Sequence, residues 1–352
     1  MQEAGLDAFF ASSAISMRYL ASFGEDGHER FLSLAVNSDG RMAMICPALS
    51  EQQARRAGIQ DVRSWPDGQD PLVLFQALAD EWNLRSGILA VDDEMKARQL
   101  LQMQGVLPAA LFKPGQPVLS TLMRKKDAKE LALMRKAAAI ADQALPAGHK
   151  SIKAGAKEED VSDAISSEMK RLGGKPTFAI IAAGANSAEP HHLTDNTEIR
   201  ESDVVMLDYG CDVDGYQSDI TRCATCGKAS DEAKKVYRVV LNAHRAAREK
   251  IRPGITAHAV DKAARDVIEA AGYGEFFIHR TGHGIGMRGH EEPYIVQGNE
   301  TMLEEGDCFS VEPGIYLPGR FGIRIENIVT VTGDGHESLN EEPAEDFIEI
   351  KG

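Results

Sequence analysis

The stretch Asp208-Tyr-Gly-Cys-Asp-Val-Asp-Gly215, followed by Tyr216-Gln-Ser-Asp219, constrains this chain more than any other. Asp-Gly between two strand-like runs is a strong hairpin signal, because the favoured two-residue turn needs positive φ at both central positions. With Asp214-Gly215 as the turn, position 210 faces 219 and position 208 faces 221, so Asp208 and Asp219 lie diagonally on one face. With Val213-Asp214 as the turn, the two acids face each other directly. Either register puts both carboxylates on the same side of the hairpin. Like charges so placed destabilise a hairpin unless a cation neutralises them, so the sequence points to a metal site built on β structure.

A second carboxylate pair lies near the C-terminus. Ser310-Val-Glu312-Pro-Gly314 and Gly322-Ile-Arg-Ile-Glu326 flank the turn-rich Leu317-Pro-Gly-Arg320. A three-residue turn at Pro318 to Arg320 sets Glu312 opposite Glu326, although Pro313 and Gly314 interrupt any regular strand there. Glu326 sits in an otherwise apolar run (Phe321, Ile323, Ile325, Ile328, Val329), where a solvated role is hard to sustain. His283, in Gly282-His-Gly-Ile-Gly286, completes the set. One imidazole with four carboxylates is an oxygen-rich donor set suited to Mn²⁺, Co²⁺ or Zn²⁺. Four acids can hold two cations about 3.5 to 4 Å apart, a spacing at which a bridging water is deprotonated near neutral pH. The chemistry expected is hydrolysis. Gly284-Ile-Gly-Met-Arg-Gly289 spells G-x-G-x-x-G, but His290-Glu-Glu-Pro293 follows where a dinucleotide-binding helix would begin, so that reading fails.

At 352 residues the chain exceeds what one core usually organises, and two domains are expected. Residues 1 to about 112 alternate short apolar runs (7–12, 32–36, 42–46, 87–91) with helical stretches (51–57, 71–82), an α/β pattern. Lys113-Pro-Gly-Gln-Pro117 reads as a joint, after which a helix over 124–144 connects to a block of helices (158–172, 231–250, 257–271) and strands (177–183, 204–211). We therefore expect an α/β domain over 1–117 and an α+β domain over 118–352. The net charge of −15 argues against a nucleic-acid partner, which would require a basic face. No apolar run reaches the roughly 18 residues of a membrane span, and Met1-Gln-Glu-Ala-Gly5 lacks the order of an export signal, so a cytoplasmic protein is expected. Five cysteines are too few and too irregular for a disulfide framework. Cys223-Ala-Thr-Cys226 has no second ligand pair and is read as free thiols in a strand.

As a set, Pro190-His191, Asp208-Tyr-Gly, Ser218-Asp219-Ile-Thr-Arg222, His279 through His283-Gly-Ile-Gly286, His290-Glu-Glu-Pro293, Val311-Glu312-Pro-Gly-Ile-Tyr316 and Arg324-Ile-Glu326-Asn resemble the pita-bread metallopeptidases: methionine aminopeptidase, aminopeptidase P, prolidase and creatinase. The likeness runs from about Lys125 to the end, and the N-terminal part is similar to the creatinase-type domain of prolidases and aminopeptidase P. It implies that Asp208, Asp219, His283, Glu312 and Glu326 ligate two divalent ions, Mn²⁺ with Co²⁺ or Zn²⁺ as alternatives, and that Asp219 and Glu326 bridge them. It also implies that His191 and His290 contact substrate and stabilise the tetrahedral intermediate, that His279 lines a proline pocket, and that Arg324 hydrogen-bonds within the site. Glu312 is the candidate to carry a proton to the leaving amine. All five acid and imidazole positions are present, which separates the chain from creatinase. The extra N-terminal domain separates it from methionine aminopeptidase.

Cleavage of Xaa-Pro dipeptides is the expected activity, with an Xaa-Pro aminopeptidase acting on longer peptides, or a binding protein that kept the fold, as alternatives. A homodimer is expected, as is typical of prolidases. One departure is Arg288, a cation where the family commonly carries an acid; it is a candidate to hold a substrate carboxylate. The charged loop Glu25-Asp-Gly-His-Glu-Arg30 is a candidate to cap the site of a partner subunit.

Overall fold

The computed structural model describes residues 1–351, and the chain divides into two compact units, Met1–Leu122 and Met123–Gly352. In chain order the first comprises β1 (Ala8–Ala11), α1 (Ala14–Ala21), β2 (Ser33–Asn37), β3 (Met42–Pro47), α2 (Glu51–Arg56), β4 (Asp61–Trp65), α3 (Leu72–Glu81), β5 (Ile88–Val91), α4 (Ala97–Val106), β6 (Leu111–Pro114) and α5 (Gln116–Met123). The strands form one mixed sheet in the order β4-β3-β2-β1-β5-β6. Phe10 on the central strand meets Phe75 of α3 edge to face at 5.5 Å, and Phe31, Leu78 and Leu89 close the same core. Each such buried side chain contributes about 1.5–3 kcal/mol.

Where Gly115 and two prolines suggest a joint, the structure has the end of β6 running straight into α5. The N–H groups of Gly115 and Gln116 both donate to Asp93 Oδ1 at 3.0 Å, which caps the new helix. Gly115 is there for proximity: a Cβ would fall 2.3 Å from the Phe9 ring and 2.7 Å from Val91 O. Pro117 lies in the first helical turn, where its missing N–H costs nothing.

The second unit opens with α6 (Ala128–Ser151) and α7 (Glu158–Arg171), followed by β7 (Lys175–Ala183), β8 (Val204–Val213), β9 (Tyr216–Gln217) and β10 (Ile220–Cys226). Then come α8 (Asp231–Lys250), α9 (Ala257–Ala270), β11 (Gly282–Gly284), β12 (Glu291–Ile295), β13 (Cys308–Val311), β14 (Gly314–Leu317), β15 (Phe321–Arg324), β16 (Asn327–Val331), β17 (His336–Ser338) and β18 (Ile348–Ile350). Asp127 caps α6 with a reciprocal Glu130 contact. That helix runs past the expected end at Ala144, through Pro146. Its last turns are held by packing, since Gly148 lies against Ile165 and Leu207 so closely that a Cβ would come within 2.9 Å of both.

One sheet has the order β18-β10-β8-β7, with β9 beside β8. Another runs β12-β11-β13-β16-β17, and β14-β15 is a separate ribbon. Helices α6 and α7 bury Ile140, Val161, Ile165 and Met169 against Leu207 and Tyr209 on the far face of β8. Helices α8 and α9 bury Val236, Val240, Leu241, Val260 and Ile268 among side chains of the other strands. All five cysteines are buried free thiols, as the C-x-x-C reading expects. Among the described residues no helix is long and apolar enough to cross a membrane.

Candidate active site

The first hairpin takes the register set by an Asp214-Gly215 turn. Asp214 (φ 49°) and Gly215 (φ 90°) are both left-handed, Val213 pairs with Tyr216, and Asp208 pairs with Thr221. On its other side Asp208 pairs with Ile180 of β7. Strand alternation therefore lines up Ile180, Asp208 and Thr221 across one sheet face, while Tyr209 turns away and donates its hydroxyl to Ala141 O of α6 at 3.0 Å.

The second pair arises from an interrupted hairpin. Val311 of β13 pairs with Asn327 of β16, and Gly314 of β14 pairs with Arg324 of β15. Both ladders are steps of one register, and Glu312 and Glu326 occupy the break between them, where Pro313 cannot donate. The freed backbone is claimed from elsewhere: Glu312 N donates to Thr281 O (2.8 Å) and Glu326 N to Thr221 O (3.2 Å). Arg222 adds a bond from Nη1 to Glu326 O (2.5 Å).

His283 joins them through Ser310. The Ser310 hydroxyl accepts from His283 N (3.0 Å) and donates to Glu312 Oε1 (3.0 Å). His283 Nδ1 lies 3.0 Å from Gly284 O, and a carbonyl can only accept, so Nδ1 carries the proton. The bare Nε2 then faces Glu312 Oε1 at 3.4 Å and Asp219 Oδ2 at 3.9 Å. A lone pair aimed at two carboxylate oxygens is repulsive unless a proton or a metal cation lies among them. Asp219, His283 and Glu326 each offer a ligand atom within 4.8 Å of the others, all buried, and Asp219 Oδ1 has no hydrogen-bond partner among the described residues. The residues fit a cation site, and the fixed tautomer is the one a metal ligand needs.

Electrostatics agree. Burial, and then the charges of Glu326, Asp208 and Glu312, push Asp219 well above the ordinary carboxylate range. Burial and the charges of Glu312 and Asp208 do the same to Glu326, and burial raises Glu312 to about 7. Burial lowers His283 to about 3. The protein alone resists collecting negative charge here, which a divalent ion would relieve.

These side chains floor a cavity of about 740 Å³ lined also by Phe178, Ile180, Pro190, His191, Leu193, Gln217, His279, Arg280, Gly289, His290 and Arg324. Of the residues singled out in the sequence, Asp208, Asp219, His283, Glu312, Glu326, His191, His279, His290 and Arg324 converge on it. Arg288 is not among its lining residues; its charge acts on Glu291, a carboxylate raised by burial and drawn back by Lys126 and then Arg288.

Arg280, which the sequence reading passed over, does line the cavity. It stacks over Tyr294 (4.5 Å to the centroid) and donates from Nη2 to His290 Nδ1 at 3.3 Å, which leaves Nε2 of a neutral His290 as the donor. Tyr316 was also missed as a functional residue. Its hydroxyl accepts from Arg324 Nη1 (2.9 Å) and meets His279 Nε2 (2.7 Å), while His279 Nδ1 donates to Arg280 O (2.7 Å). Arg324 further donates from Nη2 to Asp208 Oδ2 (2.6 Å) and from Nε to Thr221 Oγ1 (3.0 Å), and Thr221 donates to Glu326 Oε2 (2.6 Å). Helix α9 anchors the segment carrying His279 and Arg280: Asp261 Oδ1 accepts from Thr281 N and Oγ1, and Arg265 reaches Phe277 O and His279 O. Such partners are set by tertiary packing, with no short-range sequence signal beyond the positions of Tyr316 and Arg280 beside named motifs.

Residues 132–333 match the model of metallopeptidase family M24. The chain belongs to that family. Residues 1–123 match the creatinase/prolidase N-terminal domain, so this M24 metallopeptidase pairs a pita-bread catalytic domain with a smaller α/β creatinase-type domain, as expected. It is similar to the Xaa-Pro dipeptidase of Lactobacillus helveticus, with 36% identity covering 96% of this chain and 94% of that protein. Among solved structures it is similar to a prolidase from Thermococcus sibiricus (TM-score 0.94, 35% identity, 100% and 96% of the two chains). It is also similar to the dipeptidase PepE of Mycobacterium ulcerans (TM-score 0.93, 36% identity, 100% and 95%).

Proposed function

We propose that this M24 metallopeptidase hydrolyses the Xaa-Pro bond of dipeptides, using two divalent cations held by Asp208, Asp219, His283, Glu312 and Glu326. The observation that carries the reading is the unprotonated His283 Nε2 aimed at the carboxylates of buried Asp219 and half-buried Glu312. The relatives named as prolidase and Xaa-Pro dipeptidase favour the substrate class. When bound, the cations would supply a water acidic enough to act as hydroxide near neutral pH and would polarise the scissile carbonyl. His290, kept neutral by burial and by Arg280 and accepting at Nδ1, donates from Nε2 to the oxygen on which charge develops, with His191 beside it. Glu312, next to Ser310, passes a proton to the leaving nitrogen. A proline nitrogen has no N–H before cleavage, so the ring is held by shape. The apolar wall of Phe178, Ile180, Pro190 and Leu193 and the imidazole of His279 supply it.

Arg280, a cation on the cavity wall where Arg288 is not, is the residue proposed to meet the free carboxylate that only a dipeptide presents at that end. Mn²⁺ is the proposed metal and a homodimer the proposed assembly. The decisive experiment assays Mn²⁺-loaded protein on Xaa-Pro dipeptides, Xaa-Pro tripeptides and a Met-initiated peptide. Preference for the dipeptide supports the reading, preference for tripeptides turns it to an aminopeptidase, and no cleavage of any removes it.

A further inference from the structure

The segment bringing Pro190, His191 and Leu193 to the cavity follows β7 and holds no regular structure except a 3₁₀ turn at Gly184–Ala188. His191 itself is exposed, and a loop of this kind does not fix a side chain unaided. Its anchor is Glu158, the first residue of α7, whose carboxylate is fully buried. Oε1 accepts from Ala183 N (2.7 Å) and Asn186 Nδ2 (3.0 Å); Oε2 accepts from His192 Nε2 (2.7 Å) and Asp195 N (3.3 Å). The backbone completes the tie, with Glu158 N donating to Thr197 O (3.1 Å) and Glu159 N to Asp195 O (3.3 Å). One side chain thus fastens the beginning, middle and end of the segment.

Glu158, His192 and Asp195 have the residue types and spacing of a cation site. However, both Glu158 oxygens already receive N–H donors that an ion would have to displace. Among the described residues its ion-pair partner is His192, with no lysine or arginine beside it. Burying a carboxylate on those terms costs stability that an apolar residue would not.

We infer that Glu158 is a positioning residue for hydrolysis, acting through His192 to hold the neighbouring His191 at the cavity; this rests on the role proposed for His191 above. The test is a cycle of Glu158→Gln, His191→Ala and their combination in Mn²⁺-loaded protein, read as kcat/KM on an Xaa-Pro dipeptide, with hydrogen exchange over residues 183–197. Glu158→Gln is expected to speed exchange in that segment and to lower kcat/KM about ten- to a hundredfold. Once His191 is absent, it should cost less than about twofold. An equal loss with and without His191, or unchanged exchange, overturns the inference alone. A His191→Ala variant of full activity overturns the reading of His191 and the inference with it. If Glu158→Gln does not fold, His192→Gln goes through the same cycle with the same outcomes.

Discussion

Arg324 links several parts of the site at once, since its three donor nitrogens reach Asp208, Thr221 and Tyr316. Burial acts against its charge, and Tyr316, Asp208, Glu326 and Glu312 more than offset that, so it remains a cation. An ammonium cannot reproduce the fork. Arg324→Lys should therefore lower both metal affinity and kcat/KM about ten- to a hundredfold, measured by calorimetry and by dipeptide assay. Tyr316→Phe removes the hydroxyl between Arg324 and His279 and leaves one buried and one half-buried group without that partner. A loss of about 1–3 kcal/mol in urea unfolding is expected, along with reduced kcat. Arg280 has a more selective role. Arg280→Ala should narrow the preference for dipeptides over tripeptides about tenfold, or about 1.4 kcal/mol, while tripeptide turnover stays near its original rate; an unchanged ratio would remove the carboxylate contact.

At the scale of elements, both hairpins and the shared face of their acids were legible in the sequence because their turns are encoded locally, while the choice between the two registers of the first was settled only by the fold. Asp214-Gly215 supplies two residues for positive φ, and Pro318-Gly319-Arg320 closes a ladder in which Leu317 meets Phe321. Gly215→Val should accordingly cost about 1–2 kcal/mol in chemical denaturation through its φ of 90°, whatever the space around it. Helix ends and the strand-to-helix passage at Gly115 were less legible. There the deciding partners, Asp93 and the Phe9 ring, are distant in sequence, and glycine and proline look the same whether they mark a joint or a tight fit. The same limit hid Arg280 and Tyr316, whose roles come from α9 and β15 approaching them. It also drew attention to Arg288, which is not among the residues that line the cavity.

For the whole molecule, the acid cluster makes stability depend on metal and pH together. A carboxylate whose folded pKa is raised binds its proton more tightly folded than unfolded, so it stabilises at low pH and loses that contribution as pH rises from its ordinary value, 3.8 for Asp219 and 4.5 for the glutamates, through the folded value. For Glu312 that window ends at about 7, and Glu326 and Asp219, raised by burial and by the neighbouring carboxylates, lose stability with rising pH in the same direction. His283 and His279, both lowered to about 3 by burial, act oppositely, but only below their ordinary 6.5. Metal-free protein should hence lose thermal stability as pH rises from about 6.5 through about 7. Mn²⁺ should restore it, with proton release detectable by calorimetry in buffers of different ionisation heat. A metal-free melting temperature that is flat or rising over that range would contradict the cluster. The charged loop at residues 25–30 is anchored within its own unit, Glu25 accepting from Ser50 Oγ (2.6 Å) and Arg30 pairing with Asp67 (3.1 Å). We propose that it caps a partner subunit's site. Its deletion should leave the fold intact and lower the activity of the proposed dimer; unaltered activity would refute the cap.

The interrupted ladder around Glu312 and Glu326 also says where this chain can change length. Because the inner rungs at Val311 and Asn327 are locked independently of the outer ribbon, extra residues at the Pro318–Arg320 tip can bulge outward and leave the carboxylates where they are. A single residue added between Val311 and Gly314 would put the two halves half a pleat out of phase and turn an acid toward the opposite face. Relatives that vary in size here should therefore do so at the tip and keep the two-residue gap intact.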